Sequence, residues 1–390
     1  MKPTRRNTCY RTILLGIALS VTGLVAADPV VERIELGTLP GGQWSEAYDI
    51  NNAGKVVGLS SHSTGKDYFV WQNGEMTALG INADDLDNNV ARINARGQII
   101  GNYWLDMGQY IQQLAFVWQR GYVTVLDTLG GTETRAWNIN NRGDIVGWSR
   151  AANGNRHAVM WRGGSIIDLG AGFILPADIN HRGQVVASWF GAGSFLYYRG
   201  EKTDLGSLGG ERTDAYALNE QGQVVGDSYT ADGQRHAFLW QDGIMIDLGS
   251  LGGNWSSASA INHRGQVVGR SHTASGETHG FLWQDGVMTD LGTLGGASSI
   301  ARDINNRGQI VGESRTADGS VHAVLWWQQA ITDLGAGEAH AINDSGTVVG
   351  TSRENGTRIA SIWRAEAAVN NCRGRKSAAP PKCRAPASID

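Results

Sequence analysis

A short pattern recurs eight times in this 390-residue chain, and it constrains the fold more than any other feature. Each copy has an apolar residue, then Asn, two variable residues and Gly, followed by an apolar run. The asparagines are Asn51, Asn94, Asn140, Asn180, Asn219, Asn262, Asn305 and Asn343. A mean spacing of about 42 residues lies within the 20–50 residue periods that are typical of repeat architectures.

Each copy predicts a four-stranded antiparallel meander. In the fifth copy, Ala215 begins a short apolar strand, and Asn219 followed by Gly222 favours a type I turn. Asp232-Gly233 and Asp242-Gly243 are two further tight-turn signals. In seven copies a Trp follows the Asn by about 20 residues, and we expect this Trp to be a core residue of the third strand.

A strand glycine recurs beside this Trp. Seven copies, from Gly58 to Gly350, end the apolar run of the second strand with Gly. An aromatic ring on a neighbouring strand can cover a strand glycine. We therefore expect each of these glycines to lie opposite the third-strand Trp.

Strands that are apolar on both faces must be covered on both faces. Propeller blades meet this requirement because each blade is covered by its two neighbours. The eighth copy lacks a fourth strand, and residues 31–37 align with the fourth strand of the other copies. We predict an all-β fold, a β-propeller of eight four-stranded blades over residues 28–365, closed by the N-terminal strand so that no sheet edge stays open.

The repeat resembles the HAF-type family of extracellular repeats over roughly residues 35–365. The signatures are Leu205-Gly206-Ser207-Leu208-Gly209-Gly210, the run Ile261-Asn262 with Gly265-Gln266-Val267-Val268-Gly269, and the triplet His236-Ala237-Phe238. The resemblance implies an exported bacterial repeat protein, with no enzymatic activity attached to the repeat. Two copies depart from the pattern: the second inserts residues 103–113, and the fourth is short, lacks the His and has Ser194-Phe195-Leu196-Tyr197.

Residues 1–27 predict a signal peptide, because a basic start precedes an apolar stretch that is too short for a membrane span of about 20 residues. We expect a secreted protein, at the cell surface or outside the cell, with the periplasm as an alternative. Residues 366–390 predict a disordered basic tail rich in Ala and Pro. Cys372 and Cys383 in this tail predict one disulfide.

The charge is unevenly divided along the chain. The net charge is −4, but the signal and the tail are basic, which leaves −11 on residues 28–365. Binding to nucleic acid or to anionic membranes needs clustered Lys and Arg. We therefore expect no nucleic-acid partner. No segment after residue 27 reaches 18 apolar residues, so we expect no membrane span, and we expect a monomer.

We expect no cofactor and no metal. No common catalytic motif occurs in the sequence. Equivalent residues on stacked sheets lie about 10 Å apart. That is too far for one ion to join the recurrent His157, His236, His279 and His322, which we expect to brace loops instead. The acidic run at 84–89 fits no complete calcium loop, and we interpret it as a solvated insertion.

Positions that vary between copies are free to bind a ligand. One variable set follows the Gly-Gly link between copies, and the other lies three residues before the repeat Asn. The candidate ligand-binding residues are Trp44, Tyr48, Glu133, Trp137, Arg212, Tyr216, Trp255, Arg302 and His340. Aromatic and Arg clusters are typical binding anchors, although these side chains could instead fill the blade junctions.

The function predicted on this basis is non-enzymatic binding of an extracellular glycan, peptide or protein, or a surface interaction. The alternative is a propeller-type hydrolase or lyase that acts on an extracellular polymer.

Overall fold

The structure, a computed structural model, describes residues 30–82, 91–106, 108, 111–171, 174–189 and 193–366. The predicted signal peptide, the acidic run at 84–89 and the tail with Cys372 and Cys383 lie outside the described residues. All regular secondary structure within the described ranges is β-strand, which confirms the all-β prediction. None of those ranges contains a helix that is long and apolar enough to span a membrane.

Strand pairing follows the sequence repeat, and each repeat is a four-stranded unit. The first strands are β2 (Ser45–Ile50), β6 (Arg92–Ile93), β10 (Gly130–Ile139), β14 (Ile174–Ile179), β18 (Gly209–Leu218), β22 (Gly252–Ile261), β26 (Gly295–Ile304) and the second half of β29 (Ala330–Ile342). The second strands are β3 (Val56–His62), β7 (Ile99–Asp106), β11 (Ile145–Ala151), β15 (Val185–Trp189), β19 (Val224–Thr230), β23 (Val267–Thr273), β27 (Ile310–Thr316) and β30 (Thr347–Glu354).

The third and fourth strands of each unit complete the meander. The third strands are β4 (Gly65–Gln72), β8 (Ile111–Gln119), β12 (Arg156–Arg162), β16 (Ser194–Tyr198), β20 (Arg235–Gln241), β24 (Thr278–Gln284), β28 (Val321–Trp327) and β31 (Thr357–Glu366). The fourth strands are β5 (Glu75–Asn82), β9 (Tyr122–Val125), β13 (Ser165–Ala171), β17 (Glu201–Asp204), β21 (Ile244–Asp247), β25 (Val287–Asp290), the first half of β29 and β1 (Val30–Gly37).

The repeat asparagine forms the turn between the first and second strands, as the sequence predicts. The backbone N–H of Gly54 donates to the carbonyl of Asn51 at 3.0 Å. The side-chain oxygen of Asn51 accepts from the N–H groups of Ala53 (3.1 Å) and Lys55 (3.0 Å). Gly54 has a φ of 77°, a backbone conformation that favours glycine.

Neighbouring units share their cores. One buried cluster joins Val225 and Leu239 of the fifth unit to Val267 and Phe281 of the sixth. Both faces of a sheet are covered in this way. The recurrent third-strand Trp is a core residue, because six of the seven are at most 9% exposed and the seventh, Trp283, is partly buried.

The predicted pairing of the strand glycine with the third-strand Trp is wrong by two residues. Gly58 lies opposite Phe69, whereas Trp71 lies opposite Val56. A Cβ on Gly58 would come within 2.7 Å of the Phe69 ring and would collide with the carbonyl of Glu46. The glycine therefore makes room for the Phe ring and for the first strand, while the Trp fills the core two residue pairs away.

The first and last strands of the chain pair with each other. β1 runs antiparallel to β31, with Arg33 opposite Trp363 and Ile34 opposite Ile362. The first and last units also pack together, because one buried cluster contains Ile50 and Val56 together with Ile362. The insertion in the second unit lengthens the β7–β8 hairpin, where Tyr103 pairs with Leu114.

Candidate functional site

A β-bulge occurs at the same place in the first strand of seven units. The pairing of β2 with β3 passes from Ala47 to Asp49, which leaves Tyr48 as the extra residue. The other residues at this position are Trp137, Ala177, Tyr216, Ser259, Arg302 and His340. Bulges redirect a side chain and are frequent beside functional sites. Because the bulged residue has no partner on the second strand, the position three residues before the Asn is free to vary.

Three of the predicted residues line one cavity of about 430 Å³, which we call the crossover pocket. It lies along the first strands, with lining residues from Trp255 to Ser259 of β22. Tyr216, Trp255 and Arg302 come from three successive units. The other lining residues are Arg235, Ser257, Ala258, Ser259, Arg270 and Ile300. Sites for small ligands have volumes of about 300–1,000 Å³.

A buried carboxylate bonds two residues that line the crossover pocket. Asp227 is 1% exposed and accepts from Nε of Arg235 at 2.5 Å and from Oγ of Ser257 at 2.7 Å. Arg235 also donates to the hydroxyl of Tyr216 at 3.2 Å. Burial and the nearby carboxylates raise the pKa of Tyr216 well above its ordinary value, so the hydroxyl stays protonated. Arg235 is thereby fixed in position before any ligand arrives.

Arg270 is the least neutralised cation of the crossover pocket. Its guanidinium lies 5.1 Å from the centroid of the Trp255 ring. No carboxylate among the described residues lies within ion-pair distance of it. A cation over an aromatic face keeps its N–H groups free to bind an anion in its plane.

A second group, which we call the junction cluster, lies where the last and first units meet. Tyr48 stacks on His340 with ring centroids 6.1 Å apart, and its hydroxyl donates to Glu46 at 2.7 Å. Arg358 pairs with Glu46 and lies 5.2 Å from the centroid of the Trp44 ring.

His340 has a defined orientation in the junction cluster. Its Nδ1 lies 2.7 Å from the carbonyl oxygen of Ala47, and its Nε2 lies 3.6 Å from Glu338. Since a carbonyl can only accept, Nδ1 carries a proton. The hydrogen bond with His340, helped by Arg353, lowers the pKa of Glu338 to about 2. Arg302 links the two groups, because its Nη2 lies 3.8 Å from Glu338.

The remaining predicted residues lie outside both groups. Glu133 pairs with Arg150 (2.9 Å) and Arg156 (3.5 Å), so its charge is already neutralised. Arg135 lies over the Trp137 ring at 5.0 Å. Arg212 pairs with Asp214 at 2.7 Å beside the crossover pocket but does not line it.

The predicted site does not include Asp227, Arg235 and Arg270, because the sequence pattern predicts their second and third strands only as core. A signal was present, because the residue after the second-strand glycine varies between copies. Examples of that variation are Leu59, Trp148, Asp227, Arg270 and Glu313.

The eight repeat asparagines also bond from unit to unit, which sequence reasoning did not predict. The side-chain amide of Asn51 donates to the backbone carbonyl of Asn94 at 3.1 Å. In each later unit the repeat Asn amide donates in the same way to the backbone carbonyl of the next repeat Asn. The last amide, that of Asn343, donates to the carbonyl of Asn51 at 3.1 Å. These amides are used internally and are not ligand contacts.

Partly buried carboxylates add a second set of bonds between units. Asp49 accepts from the N–H of Ile93, Asp178 from Leu218 and Asp303 from Ile342, each at 2.9 Å. Burial raises the pKa of Asp49 and of Asp178 to about 6.

The recurrent histidines brace loops, as predicted. Nδ1 of His236 lies 2.9 Å from Asp247, whose other oxygen accepts from the N–H of Gly249 at 2.7 Å. His157, His279 and His322 make the equivalent contacts to Asp168, Asp290 and Asp333. Within the described ranges, no three His, Cys, Asp or Glu side chains are grouped to hold a metal ion.

No family model matches the chain, and no curated protein matches it in sequence. Solved structures do match in fold. The β-propeller domain of the Trilobed protease from Pyrococcus furiosus aligns with 75% of this chain and 98% of its own, at 12% identity and a TM-score of 0.50. It is described as having an open velcro topology.

Two further structures align less closely. A streptogramin B lyase covers 86% of this chain and 98% of its own at 12% identity, with a TM-score of 0.43. The Pyrococcus horikoshii acylaminoacyl peptidase covers 75% of this chain and 52% of its own at 12% identity, with a TM-score of 0.46. The comparison with the Trilobed protease domain and the strand pairing together support a β-propeller fold for this chain.

Proposed function

We propose that the chain is an eight-bladed propeller of the HAF repeat type, closed by its N-terminal strand. The pairing of β1 with β31 and the bond from Asn343 to Asn51 support closure. Export, cleavage before Asp28, a monomeric state and a disulfide between Cys372 and Cys383 belong to the same proposal. Mass spectrometry of the secreted protein should find Asp28 at the N-terminus and a mass 2 Da below that of the dithiol.

We propose that the protein binds a carboxylate-bearing extracellular ligand, in the first place an acidic glycan, in the crossover pocket. The observation that carries this proposal is the set of three arginines and two aromatic rings around one cavity of about 430 Å³. Arg binds carboxylates through paired N–H groups, and aromatic rings supply flat apolar contact area.

The three arginines have different roles in this proposal. Arg235 is held by Asp227, and Arg302 is shared with Glu313 (2.7 Å) and Glu338 (3.8 Å). Both are therefore positioned in advance but partly neutralised. Arg270, which has the Trp255 ring behind it, supplies the main attraction for the ligand carboxylate.

A titration with an oligogalacturonate and its carboxyl-reduced form tests the proposal. We expect saturable binding of the acidic form, at least tenfold weaker binding of the reduced form, and a further dependence on salt. Arg270→Ala should weaken binding at least tenfold, while the exposed turn variant Arg120→Ala should not. Equal binding of both oligosaccharides would reject the carboxylate. An acidic peptide that competes more strongly than the glycan would make a peptide or protein the ligand.

A hydrolase or lyase is the second candidate, and His340 is the observation that favours it. Its Nδ1 is anchored on a backbone carbonyl, so its Nε2 is oriented beside Glu338, as a general acid or base must be. Turnover of a bound polymer that disappears in His340→Gln, with binding retained, would establish this activity. Saturable binding without turnover would favour the binding role.

A further inference from the structure

We propose that a second pocket, at the asparagine-turn end between the third and fourth units, binds a phosphate or sulfate group. We call it the arginine pocket. Its volume is about 390 Å³, and its lining residues are Arg142, Arg162, Arg182, Gly183, Tyr198 and Arg199. The arginine pocket and the crossover pocket share no lining residue.

Arg162 is fixed in the arginine pocket by an ion pair that replaces two neutral residues of the repeat. Its Nε and Nη2 bond the two carboxylate oxygens of Asp144 at 3.0 and 3.1 Å. Asp144 is buried, and it also accepts from the side-chain amide of Asn140 at 3.1 Å. The second, fifth and sixth units have a neutral Gln pair at these positions, such as Gln223 with Gln241 at 2.8 Å. The third unit thus fixes a cation where these three units have amides.

Gly183 makes the space that this cation occupies. A Cβ on Gly183 would collide with Nη2 of Arg162. At the equivalent Gly265, the nearest atom to such a Cβ is Oε1 of Gln223 at 3.3 Å. The guanidinium of Arg162 therefore takes the place that a second-strand Gln has beside the turn glycine of five other units.

The other three arginines are not neutralised. No carboxylate among the described residues lies within ion-pair distance of Arg142, Arg182 or Arg199. Arg199 has a φ of 53° in a tight turn, and Arg120 has the same conformation at this position of the second unit.

Like charges in one cavity repel each other, and a bound anion removes this repulsion. A dianionic oxyanion carries up to two charges and at least three acceptor oxygens, so it can bond more guanidinium forks than a carboxylate, which has one charge and two oxygens. The cavity is larger than one such group. We therefore expect the group to be carried on a larger molecule, as a phosphate or sulfate ester.

A titration with inorganic phosphate and inorganic sulfate, at constant ionic strength and with acetate as the monocarboxylate control, tests the proposal. We expect at least one dianion to bind at least tenfold more tightly than acetate. Preference for phosphate indicates a phosphate ester, and preference for sulfate indicates a sulfate ester.

Matched variants locate the binding. Arg142→Ala/Arg182→Ala should weaken dianion binding at least tenfold, whereas Arg264→Ala/Arg307→Ala should leave it within twofold. Arg264 and Arg307 occupy the same repeat position beside the Gln pairs of other units. If the first pair fails to fold, the single exposed variant Arg199→Ala should still weaken binding about threefold or more. Equal losses in both pairs, or no preference over acetate, would overturn the proposal.

Discussion

The side-chain amide of Asn343 donates a 3.1 Å hydrogen bond to the backbone carbonyl of Asn51, which lies 292 residues earlier in the chain. The same bond joins each of the other units to the next. The eighth bond therefore links the two ends of the repeat array. In the proposed ring it is equivalent to the other seven.

Asn343→Asp tests this equivalence. Asp keeps the oxygen that accepts the turn N–H groups but loses the amide that donates to Asn51. We expect a loss of about 1–3 kcal/mol in the free energy of unfolding, because a buried carbonyl is left without its donor. Asn305→Asp, within the array, is the matched control for urea denaturation. If only the control were destabilised, the last bond would not contribute.

The raised pKa values of Asp49 and Asp178 predict that the protein loses stability as the pH rises from about 4 to about 6. Their pKa is about 6 in the folded protein and near 3.8 in the unfolded chain. The folded state therefore binds more protons in this range, and stability falls as the pH rises. Each group accounts for about 2–3 kcal/mol at most.

Asp49→Asn/Asp178→Asn should remove much of this fall. Asn138 occupies the same position in the third unit and accepts the N–H of Ile139 at 2.8 Å, so Asn fits there. Urea denaturation at pH 4.5 and pH 7 measures the effect, with the exposed turn variant Asp285→Asn as the control. Parallel pH profiles for wild type and the double variant would rule out these two carboxyls as the cause.

Gly58→Ala should destabilise the first unit by about 1–3 kcal/mol or more, because the new methyl would overlap the Phe69 ring and the Glu46 carbonyl. Gly193→Ala is the control, since a Cβ there would meet no atom of the described residues within 4 Å. Thermal denaturation compares the two. Similar stability for both variants would show that the strand glycine has no packing role.

Much of the scaffold was predictable because turn and strand signals are local and recur. The Asn turns, the core Trp and the His braces follow from residue type and spacing alone. The Phe69–Gly58 pairing did not, because the register of two strands depends on the turn between them. The bonds between units and the grouping of Tyr216, Trp255 and Arg270 depend on how neighbouring sheets pack, and a single copy of the repeat carries no signal for that.

Trp255→Ala should weaken binding of an oligogalacturonate at least tenfold, since the ring both lines the crossover pocket and lies against Arg270. Trp44→Ala should have a smaller effect, because Trp44 packs beside Arg358 in the junction cluster. Isothermal titration calorimetry measures both affinities. A double variant that binds as tightly as wild type would place the ligand elsewhere.

Removal of residues 28–38 tests ring closure most directly. β1 then no longer covers β31, whose pairing with it includes Arg33 opposite Trp363. We predict that Tm falls by at least about 10 °C, that a synthetic peptide of residues 28–38 restores part of the loss, and that removal of residues 367–390 leaves Tm unchanged. An unfolding transition that is the same with and without residues 28–38 would contradict the closed propeller.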